Sequence, residues 1–238
     1  MEGRIHSLQS MGAVDGPGLR YLVFLQGCPM RCVYCHNPDT WDFSAGEEIS
    51  SDELVRRVLR FRPFFANGGG VTVSGGEALC QGEFVAELFA KLQQNNIHTA
   101  LDTSGMYLDL SVAERVLNHT DLVLCDIKFA TEAAYLAHSG GSLKRVMEFL
   151  SLCEKCSVPV WVRHVVTPGL TDTKEEVEAI IKLAKKCATL EKIELLPFKK
   201  LCLTKYQSMG IPFPLEEVPE CSKELLESLS DLIPTHLR

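Results

Sequence analysis

Residues 20–37 read RYLVFLQGCPMRCVYCHN. From Arg20 to Gln26 the run is almost unbroken in its apolar character. That predicts a buried strand, bounded by Gly18 and Gly27. Directly after it come Cys28, Cys32 and Cys35, spaced C-x3-C-x2-C. A loop this short turns three thiols toward one point, and thiolates are soft ligands suited to iron–sulfur clusters, zinc or cuprous ion. A cubane [4Fe–4S] cluster takes four cysteines as a rule. Three local ligands with no evident fourth would leave one iron open to a small molecule. Two other readings stay open on spacing alone. One is a Cys3His zinc site using Cys32, Cys35 and His36, with Cys153 and Cys156 as a distant pair. The other is the plain packing of buried cysteines.

Outward from this stretch, strands and helices alternate. Ser50-x-x-Glu53 is a capping box that opens a helix to about Phe61. Strands are predicted at Val71–Val73, ended by Ser74-Gly75-Gly76-Glu77, and at His98–Leu101, ended by Asp102-Thr103. Further strands follow at Leu122–Cys125, before Asp126 and Lys128, at Pro159–Val166, and at Lys192–Leu196, before Pro197. Between them lie helical stretches, one with Phe84, Val85, Leu88, Phe89 and Leu92 on one face. Another is capped by Thr173-x-x-Glu176. A proline-containing loop and a last helix from about Ser222 to Leu232 complete the chain. Such alternation demands a parallel sheet with right-handed crossovers. Six β/α units cannot close an eight-stranded barrel. The expected fold is α/β, a partial (β/α)6 TIM-like barrel in a single domain over residues 1–238. A doubly wound open sheet is the alternative.

Composition sets the class. The 238 residues are 46% hydrophobic and 23% charged, an ordinary globular balance that can bury a large core. No apolar run reaches the roughly 18 residues of a membrane span, and the first residues show no signal-peptide core. Ten cysteines without such a signal point to a reducing cytoplasm. The net charge of −7 argues against general nucleic-acid binding. Asp15, Glu77, Asp102, Asp126, Lys128, Arg163 and Lys199 join the cysteines as polar groups beside glycine turns or strand ends. In barrel folds the carboxyl ends of the strands carry the chemistry. Each has a plainer reading: a turn for Asp15 and Gly75-Gly76, a helix cap for Asp102 or Asp126, a surface lysine for Lys128, an ion pair for Arg163.

Tyr34, before the last cysteine, completes a C-x3-C-x-aromatic-C pattern that resembles the radical S-adenosylmethionine (radical SAM) signature. The likeness extends to Asp15 with Gly16-Pro17-Gly18, the CHN-x-D-T-W-D run of residues 35–42, and GGGVT at 68–72. It continues through SGGE at 74–77, LDT at 101–103, DIK at 126–128 and IELLP at 193–197. This ordered set resembles the glycyl-radical-enzyme activases that act on pyruvate formate-lyase. The resemblance implies one [4Fe–4S] cluster on Cys28, Cys32 and Cys35. It implies SAM contacts from Tyr34, Cys35, His36, Gly75, Gly76, Glu77, Asp126, Ile127 and Lys128. It also implies a monovalent cation (Na+ or K+) between Asp102, Thr103 and Asp126, and substrate contacts from Asp15 and Arg163. Lys199 stands where the family has a SAM-contacting histidine, a departure that bears on the same contact.

The activity implied is reductive cleavage of SAM to methionine and a 5′-deoxyadenosyl radical, which takes a hydrogen from a backbone glycine of the partner enzyme. Reduced flavodoxin or ferredoxin is the expected electron donor, under anaerobic conditions, to a monomer. Trp41 to Ser50 contains no cysteine, so no ferredoxin-like insert with a second cluster is expected. The alternatives are activation of another glycyl radical enzyme, a small-molecule radical SAM reaction, and a non-catalytic iron–sulfur or metal module.

Overall fold

The six predicted strands lie side by side in chain order. In the computed structural model, which describes residues 1–238, the sheet runs β3-β1-β2-β4-β5-β6-β7-β8. The strands are β1 (Glu2–Gly12), β2 (Arg20–Leu25), β3 (Glu47–Ser50), β4 (Gly70–Gly75), β5 (His98–Thr103), β6 (Leu122–Asp126), β7 (Val160–Val166) and β8 (Leu190–Pro197). From β2 onward the pairings β2–β4, β4–β5, β5–β6, β6–β7 and β7–β8 are all parallel. A doubly wound sheet reverses its strand order at a switch point; these parallel strands never do. No pairing joins β8 to β3, so the barrel is left open.

Helices fill the connections: α1 (Ser51–Leu59), α2 (Gly82–Gln94), α3 (Leu110–Leu117), α4 (Glu132–Ser139), α5 (Leu143–Lys155) and α6 (Lys174–Ala184). Beyond β8 come α7 (Leu203–Met209) and α8 (Lys223–Ser230). The expected caps form: Ser50 Oγ accepts from the Glu53 N–H at 3.2 Å, and Thr173 Oγ1 from the Glu176 N–H at 3.1 Å. Each satisfies a donor that the first helical turn leaves without a backbone partner.

Alternation along the strands sorts the two faces. Val71 and Val73 of β4, Leu101 of β5 and Val123 of β6 enter the main core, with Leu88, Phe89 and Leu92 of α2. Burying a side chain of that size contributes about 1.5–3 kcal/mol. The intervening residues turn to the concave side. There Ala100, Leu122 and Leu124 form a small separate cluster against Trp161, while Thr72 and Ser74 hydrogen-bond across it.

Three elements differ from expectation. β1 pairs antiparallel with both β2 and β3, with irregular register opposite β2. The segment between Trp41 and Ser50, expected to run straight into α1, contains β3. α7 occupies part of the segment expected to be loop. No helix is long and apolar enough to cross a membrane.

Candidate active site

At the carboxyl ends of the parallel strands lies a cavity of about 260 Å³. Cys28, Cys32 and Cys35 all line it. Their loop is tied down from outside: the Arg31 and Val33 N–H groups donate to the carbonyls of Ser139 and His138 at 2.8 and 2.9 Å. Arg31 Nη1 closes the loop on itself through the Cys28 and Met30 carbonyls, at 2.9 and 2.7 Å.

The Ser74-Gly75-Gly76-Glu77 turn packs backbone to backbone against this loop. The Gly76 N–H donates to Leu25 O and the Glu77 N–H to Gly27 O, both at 2.9 Å. A Cβ on Gly76 would lie 2.3 Å from Gly27 O, and Gly75 adopts φ +108° with an added Cβ 2.4 Å from Leu25 N. Only glycine permits that approach and that dihedral angle. The turn is therefore a clamp on the cysteine loop as well as a wall of the cavity.

Burial, the Glu77 charge and the neighbouring cysteines push the Cys28 thiol up to about 12. Burial likewise lifts Cys32 to about 11, against the pull of Lys128, and raises Cys35. Soft, buried thiols that resist ionisation need a cationic centre to hold them as thiolates. They stand around the cavity and do not crowd about one point, as a single ion would require. This donor set fits a cubane cluster. It gives no support to the zinc alternative. His36 Nε2–H donates to the Lys199 carbonyl at 2.8 Å, and neither Cys153 nor Cys156 reaches the cavity.

Across the cavity, Asp102, Asp126, Lys128 and Arg163 form a buried charge network. Arg163 Nε donates to Asp126 Oδ1 at 3.0 Å, and Arg163 Nη2 donates to Asp102. Lys128 Nζ completes Asp126 at 3.1 Å, and Ser74 Oγ donates to Asp102 Oδ2 at 2.7 Å. Burial drives Asp102 up to about 6 despite Arg163. Burial also opposes ionisation of Asp126, but Arg163 and Lys128 together outweigh it and hold that carboxyl below its usual range. The tyrosine at position 34 is buried at the cavity wall, its hydroxyl donating to the Lys128 carbonyl at 3.4 Å.

Several expected site residues occupy other places. Glu77 does not line the cavity: its carboxylate is fully buried and accepts from Thr103 Oγ1 (2.5 Å), Ser104 N (2.9 Å), Ser104 Oγ and Leu79 N (3.0 Å). With its acceptors filled, it braces the turn. Ile127 is buried behind the wall; its N–H bonds to Arg163 O and its carbonyl accepts from His164. Between Asp102 and Asp126, where a monovalent cation was expected, the positive charge is the Arg163 guanidinium, and Thr103 Oγ1 is engaged by Glu77. Lys199 Nζ turns outward to Glu220 at 3.1 Å, and the residue meets the site only through its carbonyl's bond to His36. Lys199→Ala is accordingly expected to change SAM affinity by less than about twofold, since exposed ion pairs are worth little. An equilibrium binding titration showing a tenfold loss would refute that placement.

Asp15 lies off the cavity, in the loop leading into β2. Its carbonyl accepts from Thr72 Oγ1 at 2.7 Å on the concave face, and its carboxyl, raised by burial, feels Arg163 and Arg20. Arg20 itself escaped the sequence reading. Fully buried, it donates to Thr72 Oγ1 at 2.9 Å and to the carbonyls of Gly68 and Val71. A lone arginine at the head of an apolar strand gave no signal of that role. Asn37, Thr40, Ser104 and Leu196 also line the cavity; the first two lie within the 35–42 run, where proximity to the cysteines was the available clue.

Comparison with known proteins agrees with this geometry. The Radical SAM superfamily model matches residues 22–184. A pyruvate formate-lyase-activating enzyme of Clostridium pasteurianum is 44% identical over 228 residues, covering 95% of each chain. One from Staphylococcus aureus (strain USA300) is 41% identical over 235 residues, covering 96% of this chain and 94% of that one. Among solved structures, Streptococcus suis SuiB bound to S-adenosylmethionine superimposes with a TM-score of 0.65 at 13% identity, over 87% of this chain and 45% of that one. A radical SAM methyltransferase from Sphaerobacter thermophilus gives 0.64 at 14% identity, over 92% and 66%. The chain belongs to the radical SAM superfamily and, within it, to the family of pyruvate formate-lyase-activating enzymes.

Proposed function

We propose that this protein cleaves SAM reductively and uses the resulting 5′-deoxyadenosyl radical to take a hydrogen atom from one backbone glycine of pyruvate formate-lyase. The observation that carries this reading is the convergence of all three thiols of the C-x3-C-x2-C loop on one cavity, together with Gly75, Gly76, Asp126 and Lys128. A [4Fe–4S] cluster held by Cys28, Cys32 and Cys35 would supply the electron and an open iron for the amino acid end of SAM.

The chain's own residues bind and orient. Gly75 and Gly76 leave room for the methionine moiety, and Lys128 offers a cation to its carboxylate. Tyr34, Cys35 and His36 face the adenosine. The reactive carbon is kept from water by the surrounding wall, and holding reactants in line removes much of the entropic barrier. Asp15 and Arg163, on the concave side of an open sheet, anchor the glycine-bearing segment of the partner. Reduced flavodoxin or ferredoxin serves as electron donor in the cytoplasm, to a monomer whose whole length is one catalytic unit.

The test is anaerobic: iron-reconstituted protein, SAM, a reductant and a peptide bearing a deuterated glycine from the partner's loop. Deuterium is expected in 5′-deoxyadenosine, and a glycyl radical signal is expected by electron paramagnetic resonance with the whole partner. Asp15→Ala should lower peptide turnover much more than SAM affinity. Rapid SAM cleavage with a small molecule, and no transfer from any glycine loop, would overturn the reading.

A further inference from the structure

Downstream of the third cysteine the chain makes one short turn, Pro38–Thr40, and returns with Trp41. Its backbone is fixed on both sides. Gln26 Nε2 donates to the carbonyls of Asp39 and Asp42 at 2.9 and 2.8 Å. Lys205 of α7 bridges Asn37 Oδ1 and Asp39 Oδ1 at 2.9 and 3.0 Å. The indole ring is gripped as well. The Arg31 guanidinium lies over it, 4.8 Å from the centroid, and Tyr206 of α7 meets it edge-on at 6.1 Å and 87°.

This fixed ring carries a polar atom that has no oxygen or nitrogen partner. Trp41 Nε1 is sealed from solvent and has no hydrogen-bond partner. The Cys35 thiol is its neighbour: the indole N–H pulls that thiol down against burial, yet completes no hydrogen bond to it. A neutral thiol is a weak acceptor, whereas a metal-bound thiolate is a strong one. A buried donor aimed at a thiol is therefore out of balance with the bare protein and in balance with a charged sulfur.

We infer that the Trp41 indole N–H donates a hydrogen bond to the iron-bound Cys35 thiolate and sets how readily the cluster accepts an electron. The inference rests on the proposed function only in requiring a cluster on the three cysteines. Adding an electron raises the negative charge on the sulfurs, so a fixed donor favours the reduced form and raises the reduction potential. Arg31 and Tyr206 act through Trp41 by holding the ring in the one orientation that keeps the N–H on the sulfur.

Trp41→Phe keeps an aromatic ring and removes the donor. Reconstituted Trp41→Phe is expected to bind as much iron as wild type, and its midpoint potential, followed by spectroscopic redox titration without SAM, should fall. A tenfold loss in the reduction equilibrium corresponds to 59 mV for one electron. An unchanged potential would overturn the inference.

If Trp41→Phe does not load iron, the wild-type holoprotein carrying indole-15N tryptophan provides a second readout. The reduced cluster should show magnetic coupling to 15N. The other tryptophan, Trp161, directs its N–H at Glu191 and does not line the cavity, so the coupling reports Trp41. An iron-loaded wild type without that coupling overturns the inference alone. A wild type that binds no iron overturns the proposed function as well.

Discussion

Cys28→Ala, Cys32→Ala and Cys35→Ala are each expected to lower bound iron from about four per chain to near zero after anaerobic reconstitution, since one cubane holds four irons. The expectation follows from the scarcity of substitutes. All three thiols line the cavity and no other cysteine does. Cys125, Cys153, Cys187, Cys202 and Cys221 are buried away from it. Cys80, near enough to Cys28 to feel its charge, faces a separate cavity of about 330 Å³ beside the starts of α2 and α3. Iron analysis and visible absorption check the result. Cys125→Ala and Cys153→Ala are the controls and should keep their iron if they fold. A variant of the loop that retains about four irons would show that the ligands lie elsewhere, and about eight in the wild type would show a second cluster.

Arg163→Ala is expected to have the largest effect on stability. It leaves Asp102 and Asp126, both largely buried, without the guanidinium that binds them together. Removing one partner from a buried ionic network costs about 3–5 kcal/mol. For a chain of this length that corresponds to a fall of about 10 °C in melting temperature. The pH dependence has a definite sign. Asp102 already titrates at about 6, above the usual carboxylate range, because of burial. The native state therefore holds a proton there that the unfolded chain has released, and stability falls as pH rises through that window. Without Arg163 the two carboxylates raise one another further, so the deficit should be larger at pH 8 than at pH 5. The double variant Arg163→Ala/Asp102→Asn should recover much of the loss at pH 8. Thermal unfolding at the two pH values tests this. An equal deficit at both, with no recovery, would assign the loss to lost packing and not to charge.

The sequence by itself determined the parallel strands: β2, β4 and β6 are short, largely apolar runs buried on both faces and ended by glycine or a charged residue, while β8 alternates buried Ile193 and Leu195 with more exposed neighbours before Pro197. It also determined the helix starts at Ser50 and Thr173, where one side chain and one N–H three residues on decide the cap locally. The cysteine triad was legible for the same reason: three ligands on one short loop are local. What depended on distant neighbours was not. β1 is an antiparallel strand with bulges and with His6, Ser7, Gln9 and Ser10 along it, so its sequence lacks the pattern of a buried strand; its partners β2 and β3, and the Gln81 side chain on the Arg4 backbone, hold it. α7 is fixed by contacts to Trp41 and Asp39, more than 160 residues earlier in the chain. The direction of polar side chains was likewise a tertiary decision. The resemblance implies a place at the SAM site for Glu77 and for the position of Lys199, yet Glu77 turns into the wall to meet Thr103 and Ser104, and Lys199 turns out to Glu220. Arg163 settles between two carboxylates because a buried charge must find its counterion wherever the fold brings one. Periodicity fixes which face of a strand a residue occupies; which partner a polar group finds there depends on chain segments that the sequence does not place side by side.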